Sequence, residues 1–477
     1  NFRLDVKPEG FRESGINVSI ADNGTNFGSG AFPAIGYQSS RELIMPADRR
    51  EFGLTARPVI PSLYDSVARA RISGGIEFEA IVSTTNDQVG VAPGKLVRSW
   101  KTADRNYFHY AADAPIGSEW AFFSARYSVH EATWKPTISS NAVAIRIFHH
   151  PEHTAHLDWM VRSITASLDY YTKEFGPYRY GHLTVVEVPG AGTGIHADPS
   201  ILTYTEGATR WKSPENEQQL DFPYAVMAHE VAHQWTVPYA FVEGAPVMSE
   251  SVAWYYAMKA VEHARGRNQL DRLRAFMRQP HPYAPIRRGE PLLRGLDPYM
   301  SYRKGPFALY ALSEYVGEQS VNKALRTMLE NHRPEGAPVA TTLDLFAELK
   351  RVTPDSLQYL LHDFFEVNTF WELVAKKAVA KRNSESSWQV SIEIDAKKVV
   401  ADSSGAESDV AMDDWVGIAI YSEDQKTSPI YKQKHRIRSG KQTIIITVKE
   451  RPGRAAIDPD FLLVDLTPEN NSCDIAQ

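Results

Sequence analysis

His229, Glu230 and His233 stand in the order His-Glu-x-x-His within the stretch Tyr224-Ala225-Val226-Met227-Ala228-His229-Glu230-Val231-Ala232-His233-Gln234-Trp235, which no Gly or Pro interrupts. On a helix, positions 229 and 233 lie one turn apart on one face, so both imidazoles can reach a single metal ion. Glu230 is rotated off that face, near enough to contact a metal-bound water without displacing it. Zinc lowers the pKa of such a water to about 7, and a neighbouring carboxylate can accept its proton as the water attacks a carbonyl. The competing explanation is coincidence on a buried helix. With 15 histidines in 477 residues, such a pentad arises by chance roughly 0.03 times per chain.

A catalytic zinc normally takes three protein ligands and keeps one position open. No third histidine follows at the spacing His-Glu-x-x-His-x-x-Gly-x-x-His, because that position is Tyr239. Glu250 is the better candidate, in Pro246-Val247-Met248-Ser249-Glu250-Ser251-Val252-Ala253-Trp254-Tyr255-Tyr256. Pro238, Gly244 and Pro246 break the chain before it, and a second apolar helix begins there. The bland reading makes Ser249 the cap of that helix and Glu250 a favourable charge at its N-terminus. Glu243 is the fallback ligand.

The elements around this segment change character twice. The first 150 residues alternate in strand-like runs (Ile76 to Val82, Ala121 to Phe123, Val143 to Ile147) separated by turn clusters such as Asp22-Asn23-Gly24 and Ser73-Gly74-Gly75. From about residue 154, Leu157, Met160, Val161, Ile164 and Leu168 recur at helical spacing and stop near Phe175-Gly176-Pro177. Helical patterns are expected to dominate to about residue 380. After Ser384 to Ser387 the alternation returns, in Trp388 to Ile394 and Thr443 to Val448. The expectation is a multi-domain α+β protein: an antiparallel β domain over 1–153, an α-rich domain over 154–383 and a β domain over 384–477.

Lys and Arg number 52 against 58 Asp and Glu, a balance that argues against a nucleic-acid binder. Cys473 is the one cysteine, so an internal disulfide and any multi-thiolate site are excluded. The chain opens on Asn1 with no charged-then-apolar leader behind it, as expected of a processed protein or an excised piece of a longer one. His149-His150-Pro151-Glu152-His153 reads as a surface connection rather than a metal site.

With these residues in view, the sequence resembles the aminopeptidase N family of zinc metallopeptidases (gluzincins). The family pattern places a Glu eighteen residues beyond His-Glu-x-x-His; here the interval from 234 to 249 holds sixteen. Gly194-Ile195-His196-Ala197-Asp198-Pro199-Ser200-Ile201-Leu202-Thr203-Tyr204-Thr205-Glu206 looks like the family's Gly-Ala-Met-Glu-Asn strand and the Leu-Ile-Thr-Tyr-x-Glu that follows. Ser301-Tyr302-Arg303-Lys304-Gly305 is similar to the segment carrying the family's catalytic tyrosine. The resemblance implies a thermolysin-like catalytic domain that binds one Zn2+ through His229, His233 and Glu250. It also implies Glu230 as general base and Tyr302 as donor to the oxyanion, a role worth about 3 kcal/mol.

The strand segment departs from the family. Its Glu, which binds the substrate's free amino group, is Ala197 here, Asp198 replaces the Asn and His196 replaces the Met. An ammonium in a site of low dielectric needs a carboxylate partner. Either Asp198 or Glu206 supplies it, or the enzyme does not select free N-termini; Asp198 before Pro199 also suits a plain turn. Gln38 is a further candidate to line the cleft. The resemblance thus implies a peptidase, an aminopeptidase first and an endopeptidase or narrow-specificity peptidase second. A non-catalytic peptide-binding or sensor domain of a membrane transporter is the alternative of another class. Ile35 to Leu43, Lys434 to Gly440 and Ala456 to Pro459 look like the peptidase portion that some bacterial ABC-type permeases carry, which implies a permease partner.

Overall fold

The computed structural model describes residues 20–21, 23–28, 46–55, 60–117, 120–136, 142–190, 194–205, 214, 216–279, 289–384, 386–424, 428–465 and 467–477. Two compact units divide the chain: the described residues within Asn1–Gln279 and Asn322–Glu348, and those within Pro280–Val321 and Leu349–Gln477. Mixed α+β structure runs through both. Among the described residues, no helix is long and apolar enough to cross a membrane.

The first unit is organised by a five-stranded mixed sheet of β1 (Ser128–Trp134), β2 (Val143–His149), β3 (His182–Val188), β4 (Ile195–Asp198) and β5 (Ile201–Thr205). Its spatial order is β4-β5-β3-β2-β1. β3 runs parallel to both β2 and β5, while β1 and β4 pair antiparallel at the two edges. Leu183, Val185 and Val186 in β3 are all fully buried, the near-continuous apolar run of a parallel strand covered on both faces. Val186, Phe148 and Ile201 pack with Val91, Phe123, Ala125 and Tyr127, joining this sheet to the neighbouring antiparallel strands Val89–Val91 and Ala121–Ala125. The sheet therefore takes strands from both sides of residue 153.

Helix α1 (Leu157–Phe175) follows the expected period: Leu157, Met160, Ile164 and Leu168 are buried, and Gly176 at φ 111° ends it, a conformation open to a residue without Cβ. Helix α2 (Phe222–Ala232) and helix α3 (Val252–Arg265) pack with it.

In the second unit, helices give way to strand earlier than expected. Thr369–Ser384 is one strand, paired antiparallel with Ser387–Ala401 and parallel with Ser472–Ala476. Its Leu373, Ala375, Ala378 and Ala380 are buried, the alternation of a strand shifted in phase once, at the register break between Ala375 and Lys377. Pairing with two partners decides for strand, because β propensity is largely a matter of such context. Phe370 packs with Val399 and Ala401 at the centre of this sheet. Trp371 is fully buried, and its Nε1 donates to Asp414 Oδ2 at 2.9 Å.

Candidate metal centre

Helix α2 starts because Asp221 accepts a hydrogen bond from Tyr224 N at 3.2 Å and Pro223 sits in the first turn, a cap worth about 1 kcal/mol. Burial pushes the Asp221 carboxyl up, against the pull of the Tyr224 amide and Arg265. Two side chains of α1 hold α2 in place: Ser163 Oγ donates to Tyr224 O (3.0 Å) and Tyr171 Oη to Ala228 O (2.8 Å). The last turn of α2 presents His229 and Glu230, only 4% and 6% exposed. His233 opens the short 3-10 turn His233–Trp235, which Trp235 Nε1 anchors to Gly176 O at 3.0 Å.

Glu250 arrives on the π-helical turn Val247–Ser251 that leads into α3. The loop between the two helices is tied to distant parts of the chain. Ala240 N donates to Ala340 O and Ala340 N to Pro238 O, each at 2.8 Å, and Glu243 N donates to Pro61 O at 3.0 Å. Glu243, the fallback ligand, accepts instead from Leu63 N at 3.1 Å through Oε2. These struts deliver Glu250 although the interval is two residues shorter than the family pattern.

One donor atom each from His229, His233 and Glu250 lies within 4.8 Å of the other two. His229 Nε2 is 3.2 Å from His233 Nε2 and 3.1 Å from Glu250 Oε2; His233 Nε2 is 3.7 Å from Glu250 Oε2. With bonds of about 2.0–2.1 Å, donors of a tetrahedral zinc site stand about 3.3 Å apart. Glu250 Oε2 is buried and takes no hydrogen bond of regular geometry. A triangle of this size, with an unsatisfied buried oxygen at one corner, fits a zinc ion. Burial pushes the Glu250 carboxyl up, but the His229 and His233 imidazoles outweigh it and hold it far below the usual carboxylate range. Burial opposes a proton on His233, yet Glu250 and Glu230 leave its affinity for one raised.

The edge strand β4 carries the specificity candidates. Ala197 is half-buried. The Asp198 carboxylate is 18% exposed and lies 3.2 Å from His196 Nε2. Gln234, the residue after His233, was not singled out from sequence. Its Oε1 accepts from Ser200 N (2.7 Å) and its Nε2 donates to Asp198 O (3.0 Å), clamping a turn in which Ser200 adopts φ 62°. Trp254 was also missed: its indole stacks on the His229 imidazole, centroids 4.3 Å apart and planes at 20°. Glu206 and Gln38 lie outside the described residues. Of the histidine run, His153 Nδ1 pairs with buried Glu187 Oε1 at 2.5 Å, and His150 N donates to Glu187 Oε2. Among the described residues the run forms no metal-ligand cluster.

Tyr302 belongs to the second unit, half-buried on the π-helical turn Met300–Lys304. Two residues on, Lys304 is buried, and its Nζ donates to Asn368 Oδ1 (2.5 Å) and Thr369 O (3.2 Å). Burial pushes its pKa down from 10.5 to about 7, against the pull of Asp297 and Asp363. The unfolded chain therefore binds this proton up to a higher pH than the folded one, and stability rises from pH 7 toward 10.5. At full expression the window is worth of order 5 kcal/mol. Lys304→Met is expected to flatten the pH dependence of denaturation between pH 7 and 10. A slope equal to that of the unsubstituted chain would contradict this.

The description "Peptidase family M1 domain" matches residues 157–371. Aminopeptidase 2 of Candida albicans is 27% identical over 215 residues, which cover 40% of this chain and 22% of that protein. Glutamyl aminopeptidase of Bitis rhinoceros is 28% identical over 114 residues, 23% of this chain and 12% of its own length. The chain thus spans under a quarter of the length of these curated relatives. Among solved structures, aminopeptidase A of Legionella pneumophila in complex with aspartic acid superposes with a TM-score of 0.59 at 14% identity, over 86% of this chain and 49% of that one. An M1 zinc metallopeptidase from Deinococcus radiodurans gives 0.50 at 16% identity, over 62% of this chain and 65% of that one.

Proposed function

We propose, from the match of residues 157–371 to the Peptidase family M1 domain, that the chain is a zinc-dependent peptidase, foremost an aminopeptidase. The observation that carries this reading is the convergence of His229, His233 and Glu250 within 4.8 Å. These three residues would hold one Zn2+. When bound, the ion acts as a Lewis acid and makes a water at the site acidic enough to react near neutral pH. Glu230, buried beside the imidazoles, takes the proton of the attacking water and returns it to the leaving amine. The likeness of Ser301 to Gly305 to the family's tyrosine-bearing segment supports Tyr302 as the donor to the oxygen of the tetrahedral intermediate. Asp198, on the edge strand, pairs with the ammonium of the substrate's first residue, with Glu206 as the other acid available.

Ala197 favours a second reading, an endopeptidase or peptidase of narrow specificity, because the family's amine-binding carboxylate is missing at that position. The zinc-loaded chain should be given a short peptide and its N-acetylated twin, and products separated by mass. An aminopeptidase cleaves only the free peptide, whereas an endopeptidase cleaves both. Cleavage of neither, with one zinc bound per chain, would overturn both and leave a peptide-binding or sensor module. The likeness of the terminal segments to permease-borne peptidases supports a permease partner; Ile35 to Leu43, part of that likeness, lie outside the described residues.

A further inference from the structure

Metal-binding histidines almost always donate their second ring nitrogen to a carboxylate, a carbonyl or water, which fixes the ring orientation. The two imidazoles of this site differ in that respect. His233 Nδ1 has Thr236 Oγ1 at 3.4 Å. His229 Nδ1 is buried and meets no hydrogen-bond partner among the described residues. What His229 meets instead is a ring face: the Trp254 indole stacks on it, centroids 4.3 Å apart and planes at 20°. Trp254 is 6% exposed, and its own Nε1 makes no hydrogen bond among the described residues. The indole is therefore held by its faces and not by its N–H.

The helix makes this contact and the metal contact inseparable. Trp254 lies four residues after Glu250, one turn on along the same face, so the turn that brings the carboxylate to the imidazoles also lays the indole against His229. Rotation of the His229 ring about its Cβ–Cγ bond would sweep it into the indole plane, so Nε2 stays aimed at His233 and Glu250. We propose that Trp254 is a positioning residue for the metal centre, doing by aromatic stacking what a hydrogen-bonded acceptor does for most metal-binding histidines. The proposal rests on the zinc reading above.

The test is the zinc dissociation constant of the apo chain, read by competition with a chromogenic chelator, for the unsubstituted chain, Trp254→Leu and Trp254→Phe. Loss of the partner that orients a ligating histidine typically weakens metal binding 10–100-fold. Trp254→Leu is expected to fall in that range, and Trp254→Phe, which keeps a ring face but no N–H, to stay within about threefold of the unsubstituted chain. Should Trp254→Leu lack a cooperative melting transition, Trp254→Met, which is flexible enough to fill the space, carries the same expectation. Unchanged affinity in Trp254→Leu, or loss in Trp254→Phe equal to that in Trp254→Leu, would overturn the proposal. Failure of the unsubstituted chain to bind zinc would instead remove the metal reading itself, so the two failures are distinguishable.

Discussion

Glu230→Gln is expected to lower kcat for peptide hydrolysis by about 10²–10⁴-fold, the range that a positioned general base contributes, with zinc content unchanged at one per chain. The substitution keeps the size of the side chain and removes its ability to take a proton. Glu230 sits on the last turn of α2, 6% exposed and next to His229 in sequence, and it is not one of the three converging donors. Its loss should therefore leave KM and the metal nearly untouched. The informative comparison measures kcat, KM and bound zinc on the same preparations. A kcat within threefold of the unsubstituted chain would remove Glu230 from the chemistry, and a parallel loss of zinc would make it a structural support of the metal site.

The second large effect lies in the second unit and concerns stability. Lys398 is buried, and its Nζ donates to Asp363 Oδ2 at 2.9 Å and Asp414 Oδ1 at 3.0 Å. Asp414 also accepts from the Trp371 indole. Burial opposes charge on Lys398, yet the two carboxylates leave its pKa raised; burial raises that of Asp363. Lys398→Met preserves the volume but strands two carboxylates together in the core. Breaking a buried ion pair from one side costs about 3–5 kcal/mol, and that loss is expected in denaturation of the full chain followed by circular dichroism. The triple substitution Lys398→Met, Asp363→Asn, Asp414→Asn should recover part of it, since removing all the charges avoids leaving any of them unpaired. A loss below about 1 kcal/mol in Lys398→Met would show that water reaches the cluster.

The sequence made the centre of the site legible because its chemistry is local. His229 and His233 are one helical turn apart, a spacing set locally by helix α2 and the 3-10 turn that continues it, while Ser163, Tyr171 and Trp235 fix where that segment sits. Helix α1 was legible for a similar reason, its apolar stripe being written at a single period. Glu250 was harder, because the interval before it follows no periodic rule; its delivery depends on backbone hydrogen bonds to Pro61 and Ala340, remote in sequence. The Trp254 stack and the Gln234 clamp escaped because an indole or a carboxamide in an apolar helix end has no one-dimensional signature. The expectation of helix to about residue 380 overran Thr369, because the register break between Ala375 and Lys377 interrupts the alternation that would have marked Thr369–Ser384 as strand. Tyr302 was reached through resemblance alone, for a tyrosine on a π-helical turn carries no pattern of its own.

The mixed sheet of the first unit bears on how this protein can be cut and recombined. Two of its five strands, β1 and β2, precede residue 157, and the loop that carries Glu250 is braced from residues 61 and 63. A fragment bounded at 157 and 371 would leave β3 with a bare edge where β2 had paired and would remove one brace of the third donor. The segment over 157–371 is thus not a portable cassette: grafts, truncations and chimaeras of this chain must bring its first third along with the histidines.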